Sequence, residues 1–305
     1  MNPDAICTAR LVVLAIALLV AACAAPEVSP HRQCAPRGDF TDCRVVENAF
    51  DDFNDAFSED VVMIPNPSRA GGQLEVTVFR RDKDRAKTNQ PLVVINHGAA
   101  GLPDPHQQPR NRPIETAKYF LQRGYLVVAP MRTGFGNSTG RVRSNCDHFD
   151  YAMRYESDIE TTVAHFVANY GANPGNVVVT GQSNGGVVSL GYAAKANRAQ
   201  LVVNFAGGID ARQCDWVKVL IASGAKFGTG AKLPTLWIYT RTDRTFPPDV
   251  SLAFYRAYRS NGGKGEFYMY DEGGHGFSNT KLGRLNYAGI LDEKLKAMGL
   301  AYLKN

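Results

Sequence analysis

Gly181-Gln182-Ser183-Asn184-Gly185-Gly186, directly after the apolar run Val177-Val178-Val179-Thr180, restricts this chain's fold more than any other stretch. An apolar run, a glycine-bracketed polar tip and the helical stretch Gly186–Asn197 read as a buried strand, a sharp turn and a helix. At such a junction G-x-S-x-G holds its serine in a strained backbone conformation, so the flanking positions need small side chains. The hydroxyl then stands above the sheet edge with a helix amino terminus beneath it. A plain strand-to-helix turn is the competing account, and the strand and helix patterns on either side argue against it.

The rest of the chain repeats that alternation. Asp60–Pro65 and Gln73–Arg80 alternate apolar and polar residues and predict an antiparallel hairpin. Pro91–Asn96 and Tyr125–Ala129 are short apolar runs, as expected of strands buried on both faces. Between them Ile114–Arg123 predicts a helix closed by Gly124. A long loop from Pro130 to Asp150 leads to a helix over Tyr151–Tyr170, with Ile159, Val163, Phe166 and Val167 at helical spacing. Beyond the serine turn, strands are expected at Leu201–Phe205, Leu233–Thr240 and Glu266–Tyr270, with helices at Pro247–Asn261 and Leu282–Leu303. Alternating strands and helices imply right-handed crossovers, an α/β architecture and a mainly parallel sheet with helices on both faces. The 27 residues between Phe205 and Leu233 are too few for a large lid domain, so the cleft should be open.

A serine hydroxyl is a weak nucleophile until a base takes its proton, and a histidine base needs a carboxylate to orient it. Only one histidine follows Ser183: His275, in Gly273-Gly274-His275-Gly276-Phe277, just beyond the expected strand at 266–270. The loop after the strand ending at Thr240 offers Asp243 and no other carboxylate before Asp249; Asp210, Asp215 and Asp271 are rivals. His97-Gly98-Ala99-Ala100-Gly101 follows the strand at 91–96, and His97 reads as a structural residue rather than a second base. His97, Asp104 and His106 lie at a proline-rich spacing that gives no common face for a metal ion, and no metal or cofactor is expected.

Together with Met131-Arg132-Thr133-Gly134-Phe135-Gly136-Asn137-Ser138-Thr139-Gly140, these motifs resemble the α/β-hydrolase superfamily over about residues 60–303. Within it the compact chain is similar to dienelactone-hydrolase-like and prolyl-oligopeptidase-like serine hydrolases. The resemblance implies Ser183 as nucleophile, Asp243 as the acid and His275 as the base, in the chain order of that fold. It also implies an oxyanion hole from the backbone N–H groups of Asn184 and Ala99. Dienelactone hydrolases proper carry cysteine where this chain has Ser183, which favours ester substrates, small or polymeric, over lactones. A serine peptidase or an acyltransferase would use the same triad, and a non-catalytic envelope lipoprotein on this scaffold is the rival from another class.

Residues 1–22 read as a signal peptide, because the apolar stretch Leu11–Ala22 falls short of the ~20 residues a bilayer span needs. Leu19-Val20-Ala21-Ala22-Cys23 resembles a lipoprotein cleavage box, which implies lipidation at Cys23 and a membrane anchor; an ordinary secretory cut is the alternative. Residues 23–45 read as a tether and 46–305 as the catalytic domain. In an exported protein the even set Cys34, Cys43, Cys146 and Cys214 implies disulfides. Proximity pairs Cys34 with Cys43, and Cys146 pairs with Cys214 by elimination, buried free thiols being the alternative. Net charge is +5 with no basic run, so nucleic-acid binding is not indicated. Arg132, Arg141, Arg143, Arg241 and Arg244 fall in loops near the expected cleft; solvated arginines are the simpler account, recognition of an anion the other.

Overall fold

The computed structural model describes residues 34–143, 146–195, 198–211 and 213–301. The expected signal segment 1–22 and the lipidation residue Cys23 lie outside them. In chain order the elements are β1 (Cys34–Arg37), β2 (Phe40–Cys43), β3 (Phe57–Asn66), β4 (Gly72–Arg81), β5 (Gln90–Asn96), α1 (Ile114–Leu121), β6 (Leu126–Pro130) and α2 (His148–Tyr170). They continue with β7 (Ala172–Gln182), α3 (Asn184–Lys195), β8 (Leu201–Phe205), α4 (Trp216–Gly230), β9 (Thr235–Thr240), α5 (Pro248–Ser260), β10 (Gly265–Tyr270) and α6 (Lys281–Ala297).

The ten strands form one sheet in the order β1-β2-β10-β9-β8-β7-β5-β6-β4-β3. Every pair from β2 through β10, β9, β8, β7 and β5 to β6 is parallel; β6–β4, β4–β3 and β1–β2 are antiparallel. Side chains alternate across the sheet. Val93, Ile95, Val127 and Val178 join a core with Phe120 of α1 and Leu291 of α6. Leu92, Val94, Val128 and Val179 face the other way, onto Ile159 of α2 and Val188 of α3. Helix α3 lies in the deepest layer: Gly185 to Ala194 are all buried, as expected of a helix that is apolar or small all round.

Strand β5 lies between β6 and β7 and is followed by a crossover toward β6, whereas the chain leaving β7 turns toward β8. This is the topological switch point, where open α/β sheets place their ligand crevice at the strands' carboxyl ends. Pairing aligns those ends: Asn96 sits opposite Gly181, Gln182 opposite Phe205 and Thr240 opposite Tyr270.

One reading is corrected here. Part of the expected tether, Cys34–Cys43, is a hairpin whose second strand extends the sheet in parallel with β10. Its strands, CAPR and FTDC, are too short and polar to show a pattern; a Cys34–Cys43 disulfide and the β10 backbone hold them. The stretch before β9 holds a helix that the sequence did not announce, α4, which packs on α5 as part of the helical layer. A second disulfide joins Cys146 to Cys214, as the elimination expected. Among the described residues no helix is long and apolar enough to cross a membrane.

Candidate active site

Ser183 links β7 to α3 with φ of 58°, a left-handed conformation that costs a non-glycine residue about 1–3 kcal/mol. Its backbone is tied on both sides: Ser183 N–H donates to Phe205 O (3.1 Å), and Ser183 O accepts from Gly186 N–H (2.8 Å) and Gly208 N–H (3.2 Å). The bracketing glycines are required for close approach. A Cβ at Gly181 would strike the Gly185 carbonyl, and one at Gly185 would strike the Asn96 and His97 carbonyls.

His275 lies in the loop after β10 and Asp243 in the loop after β9. The His275 Nδ1 stands 2.9 Å from Asp243 Oδ2, with the histidine side chain 27% exposed and the aspartate fully buried. The other carboxylate oxygen, Oδ1, accepts the N–H groups of Thr245 (2.8 Å) and Phe246 (3.0 Å), which fixes the carboxylate plane. With Asp243 accepting at Nδ1, the proton belongs there and Nε2 is left as the basic nitrogen. The Phe246 ring meets the imidazole edge-on at 5.2 Å. Of the rival carboxylates, Asp271 accepts the N–H of Val45 (2.7 Å), Asp215 lines a cavity with Arg244, and Asp210 lines both that cavity and the one shared by Ala99 and Asn184.

The serine turn and the histidine loop are joined directly, since Gln182 Nε2 donates to His275 O at 2.9 Å. Among the described residues the Ser183 hydroxyl makes no hydrogen bond to His275. Catalytic hydrogen bonds are commonly long without substrate and tighten when it binds.

The loop after β5 passes against the serine: a Cβ on Gly98 would stand 3.2 Å from Ser183 Cβ. Ala99 from this loop and Asn184 from the first turn of α3 line one cavity of about 320 Å³, with Leu102, Phe135, Tyr151 and Ile209. The first N–H groups of a helix have no partner within it and point out of its end. A larger cavity, about 480 Å³, lies on the other side of this loop, lined by His97, Gly98 and Gln182 but not by Ala99 or Asn184. The smaller one is thus the cleft that both expected oxyanion donors line.

Gln108 and Asn96, which the sequence did not single out, and Arg132, which it placed among the solvated loop arginines, shape this loop. Gln108 accepts the Ala100 N–H (3.0 Å) and donates to Gly98 O (3.1 Å). Arg132 is fully buried rather than solvated; its guanidinium donates to His97 O, and its N–H donates to His97 Nε2 at 3.0 Å. The His97 Nδ1 lies 2.6 Å from Gly98 O and 2.7 Å from Gln108 Nε2. Burial, and then the Arg132 charge, hold His97 well below the usual histidine range, so it is a neutral structural group. Asn96 packs under the elbow, donating to Thr180 O and Ser189 Oγ.

With that geometry in hand, the chain's likenesses are consistent in kind. A family model described as serine aminopeptidase, S33, matches residues 88–227. A protein assigned as a dienelactone hydrolase from Klebsiella pneumoniae superposes with a TM-score of 0.55 at 17% identity, over 80% of this chain and 99% of that one. A thermophilic esterase from the Planctomycetes species Thermogutta terrifontis gives 0.56 at 18% identity, over 81% and 95%. The acylaminoacyl peptidase of Pyrococcus horikoshii gives 0.60 at 16% identity over 82% of this chain, which spans 43% of that longer protein. No curated protein matches the chain in sequence.

Proposed function

We propose that this chain, which has the α/β-hydrolase fold, hydrolyses carboxylic esters through an acyl-enzyme on Ser183, His275 and Asp243. The observation that carries this reading is the buried Asp243 carboxylate oriented on His275 Nδ1, in a loop bonded to the turn that holds Ser183 in its left-handed conformation. Ser183 Oγ attacks the ester carbonyl while His275 Nε2 takes its proton. The tetrahedral oxyanion is held by the N–H groups of Asn184 and Ala99, and His275 returns the proton to the departing alcohol. Water, deprotonated by the same histidine, then releases the acid and the free serine. The serine nucleophile and an apolar cleft lined by Leu102, Phe135 and Ile209 support esters as the substrate class. The two disulfides support an oxidising, exported location, and lipid anchoring at Cys23 is part of the same proposal.

Mass-spectrometric mapping of a fluorophosphonate adduct tests the mechanism. Labelling at Ser183 in native protein, lost on heat denaturation and in Ser183→Ala, is expected. A well-folded protein that takes no label would exclude an activated serine. A panel of alkyl esters and aminoacyl amides then separates esterase from peptidase. Anchoring is tested apart: Cys23→Ala should release the exported protein from membranes.

A further inference from the structure

We propose that Arg69, Arg141, Arg143 and Arg154 form a binding site for the anionic group, carboxylate or phosphate, of the ester that this enzyme hydrolyses. The anion site stands on the arginines themselves; its role in substrate choice rests on the serine-hydrolase reading.

The four arginines and Tyr155 line a cavity of about 220 Å³. They come from three separate parts of the chain: the turn between β3 and β4, the loop before α2, and α2 itself. Among the described residues Arg69, Arg141 and Arg143 have no carboxylate at ion-pair distance, and Arg154 is paired with Asp150 (2.5 Å). Asp158, which feels the charge of Arg69, already accepts from Thr133 N–H, Thr133 Oγ1 and Asn66 Nδ2. On the far side of the same aromatic wall lies Arg132, its guanidinium 5.3 Å from the Tyr155 ring, with Nε and Nη2 unpaired and buried. Four arginines thus line one cavity beside Tyr155, with Asp150 and Asp158 as the carboxylates that engage them. Such clustering is self-repelling, and an anion relieves it; a planar guanidinium fork matches carboxylate or phosphate oxygens two at a time.

The arginine loop is built to hold this position. Gly134 adopts φ of 83° and donates to Thr139 O (3.0 Å), and a Cβ there would strike the backbone of Arg141 and Val142. Thr139 N–H donates to Gln73 O (3.0 Å), and the His106 ring lies 3.1 Å from Gly140 O. The loop also runs between the cavity and the cleft. Val142 and Tyr151 line the cleft, while their neighbours Arg141, Arg143 and Tyr155 line the arginine cavity. The Tyr151 and Tyr155 rings are 5.0 Å apart, so one layer of side chains separates the two spaces.

The test compares two esters of equal carbon count, neutral methyl hexanoate and anionic monomethyl adipate, in a pH-stat, with inorganic phosphate as a calorimetric binding probe. Wild type should prefer the adipate monoester by roughly tenfold in kcat/KM, and phosphate should bind and compete with it. In Arg141→Gln/Arg143→Gln, checked for an unchanged melting temperature, the kcat/KM ratio should fall toward one and phosphate binding should be lost. Absence of both phosphate binding and preference in wild type overturns the proposal. Phosphate binding that is lost in the variant, with no ester preference, identifies a free anion as the ligand and overturns the substrate role. If neither ester is hydrolysed but phosphate binding depends on the arginines, the anion site stands and the esterase reading fails.

Discussion

Replacing Asp243 by asparagine isolates the step on which the proposed mechanism depends. The amide oxygen can keep the two backbone bonds now made by Oδ1 to Thr245 and Phe246, so the loop after β9 has no cause to rearrange. The amide nitrogen then faces His275 Nδ1, where a carboxylate oxygen stood at 2.9 Å. Two donors cannot face each other, so the imidazole proton moves to Nε2 and the nitrogen facing the serine is no longer a base. The charge that would stabilise the imidazolium is lost as well. With charge centres about 4 Å apart and an effective dielectric near 20, that interaction is worth ~4 kcal/mol. At about 1.4 kcal/mol per factor of ten, kcat/KM should fall roughly a thousandfold. Stability should change by no more than about 1 kcal/mol, which moves the melting temperature by about 2–4 °C. Initial rates on a p-nitrophenyl ester and a thermal melt on the same preparation decide it. A correctly folded variant within tenfold of wild type would refute both the tautomer argument and the role given to Asp243.

Three further outcomes follow from neighbouring parts of the structure. Gln108→Ala removes the acceptor for Ala100 N–H and a donor to Gly98 O, so kcat should fall about tenfold to a hundredfold with little change in KM; a change in KM alone would show that the loop does not carry the oxyanion donor. Burial, then the Arg132 charge, depress His97, and burial lowers His148 to about 4, whereas the unfolded chain protonates histidine near 6.5. Between those values the unfolded state binds more protons, so stability is full above about pH 6.5 and falls with pH by up to ~1.4 kcal/mol per unit for each histidine. Urea unfolding at pH 7, 6 and 5 should give that slope, and His97→Gln should remove about half of it. Cys146→Ser/Cys214→Ser opens a loop of 68 residues and should cost about 4 kcal/mol on chain-entropy grounds, read from denaturant unfolding with and without reductant.

What the sequence made legible was what local chemistry dictates. The elbow at Gly181–Gly186 could be read because its glycines, its serine and the valine run before it leave one backbone path, and the pairing of β5, β7 and β8 is that path. His275 and Asp243 were legible because each follows an apolar strand and few competitors occupy those loops. Helix α4 was not, because Ser223, Gly224, Gly228 and Gly230 weaken its helical signal. Those glycines answer a tertiary demand instead: side chains at Gly224 and Gly228 would strike the α5 carbonyls of Phe254 and Tyr258. A glycine kept for a neighbouring helix looks, in one dimension, like a glycine in a loop.

The arginines make the same point with charge in place of volume. Arg132, Arg141, Arg143, Arg241 and Arg244 are alike in sequence, each a basic residue in a loop, yet their environments diverge. Arg132 is buried under the loop after β5, Arg241 pairs with Asp42, and Arg244 faces a cavity shared with Asp210 and Asp215. Only Arg141 and Arg143 meet further arginines, Arg69 and Arg154, which lie about seventy positions upstream and a dozen downstream. No local pattern announces that meeting; it exists because α2 and the β3–β4 hairpin flank the same loop. A triad is constrained by the reaction it performs, so its members keep a recognisable order along the chain. An anion site asks only for convergent positive charge and carries no such order, and the substrate specificity of a fold this widely used is therefore read from the folded chain.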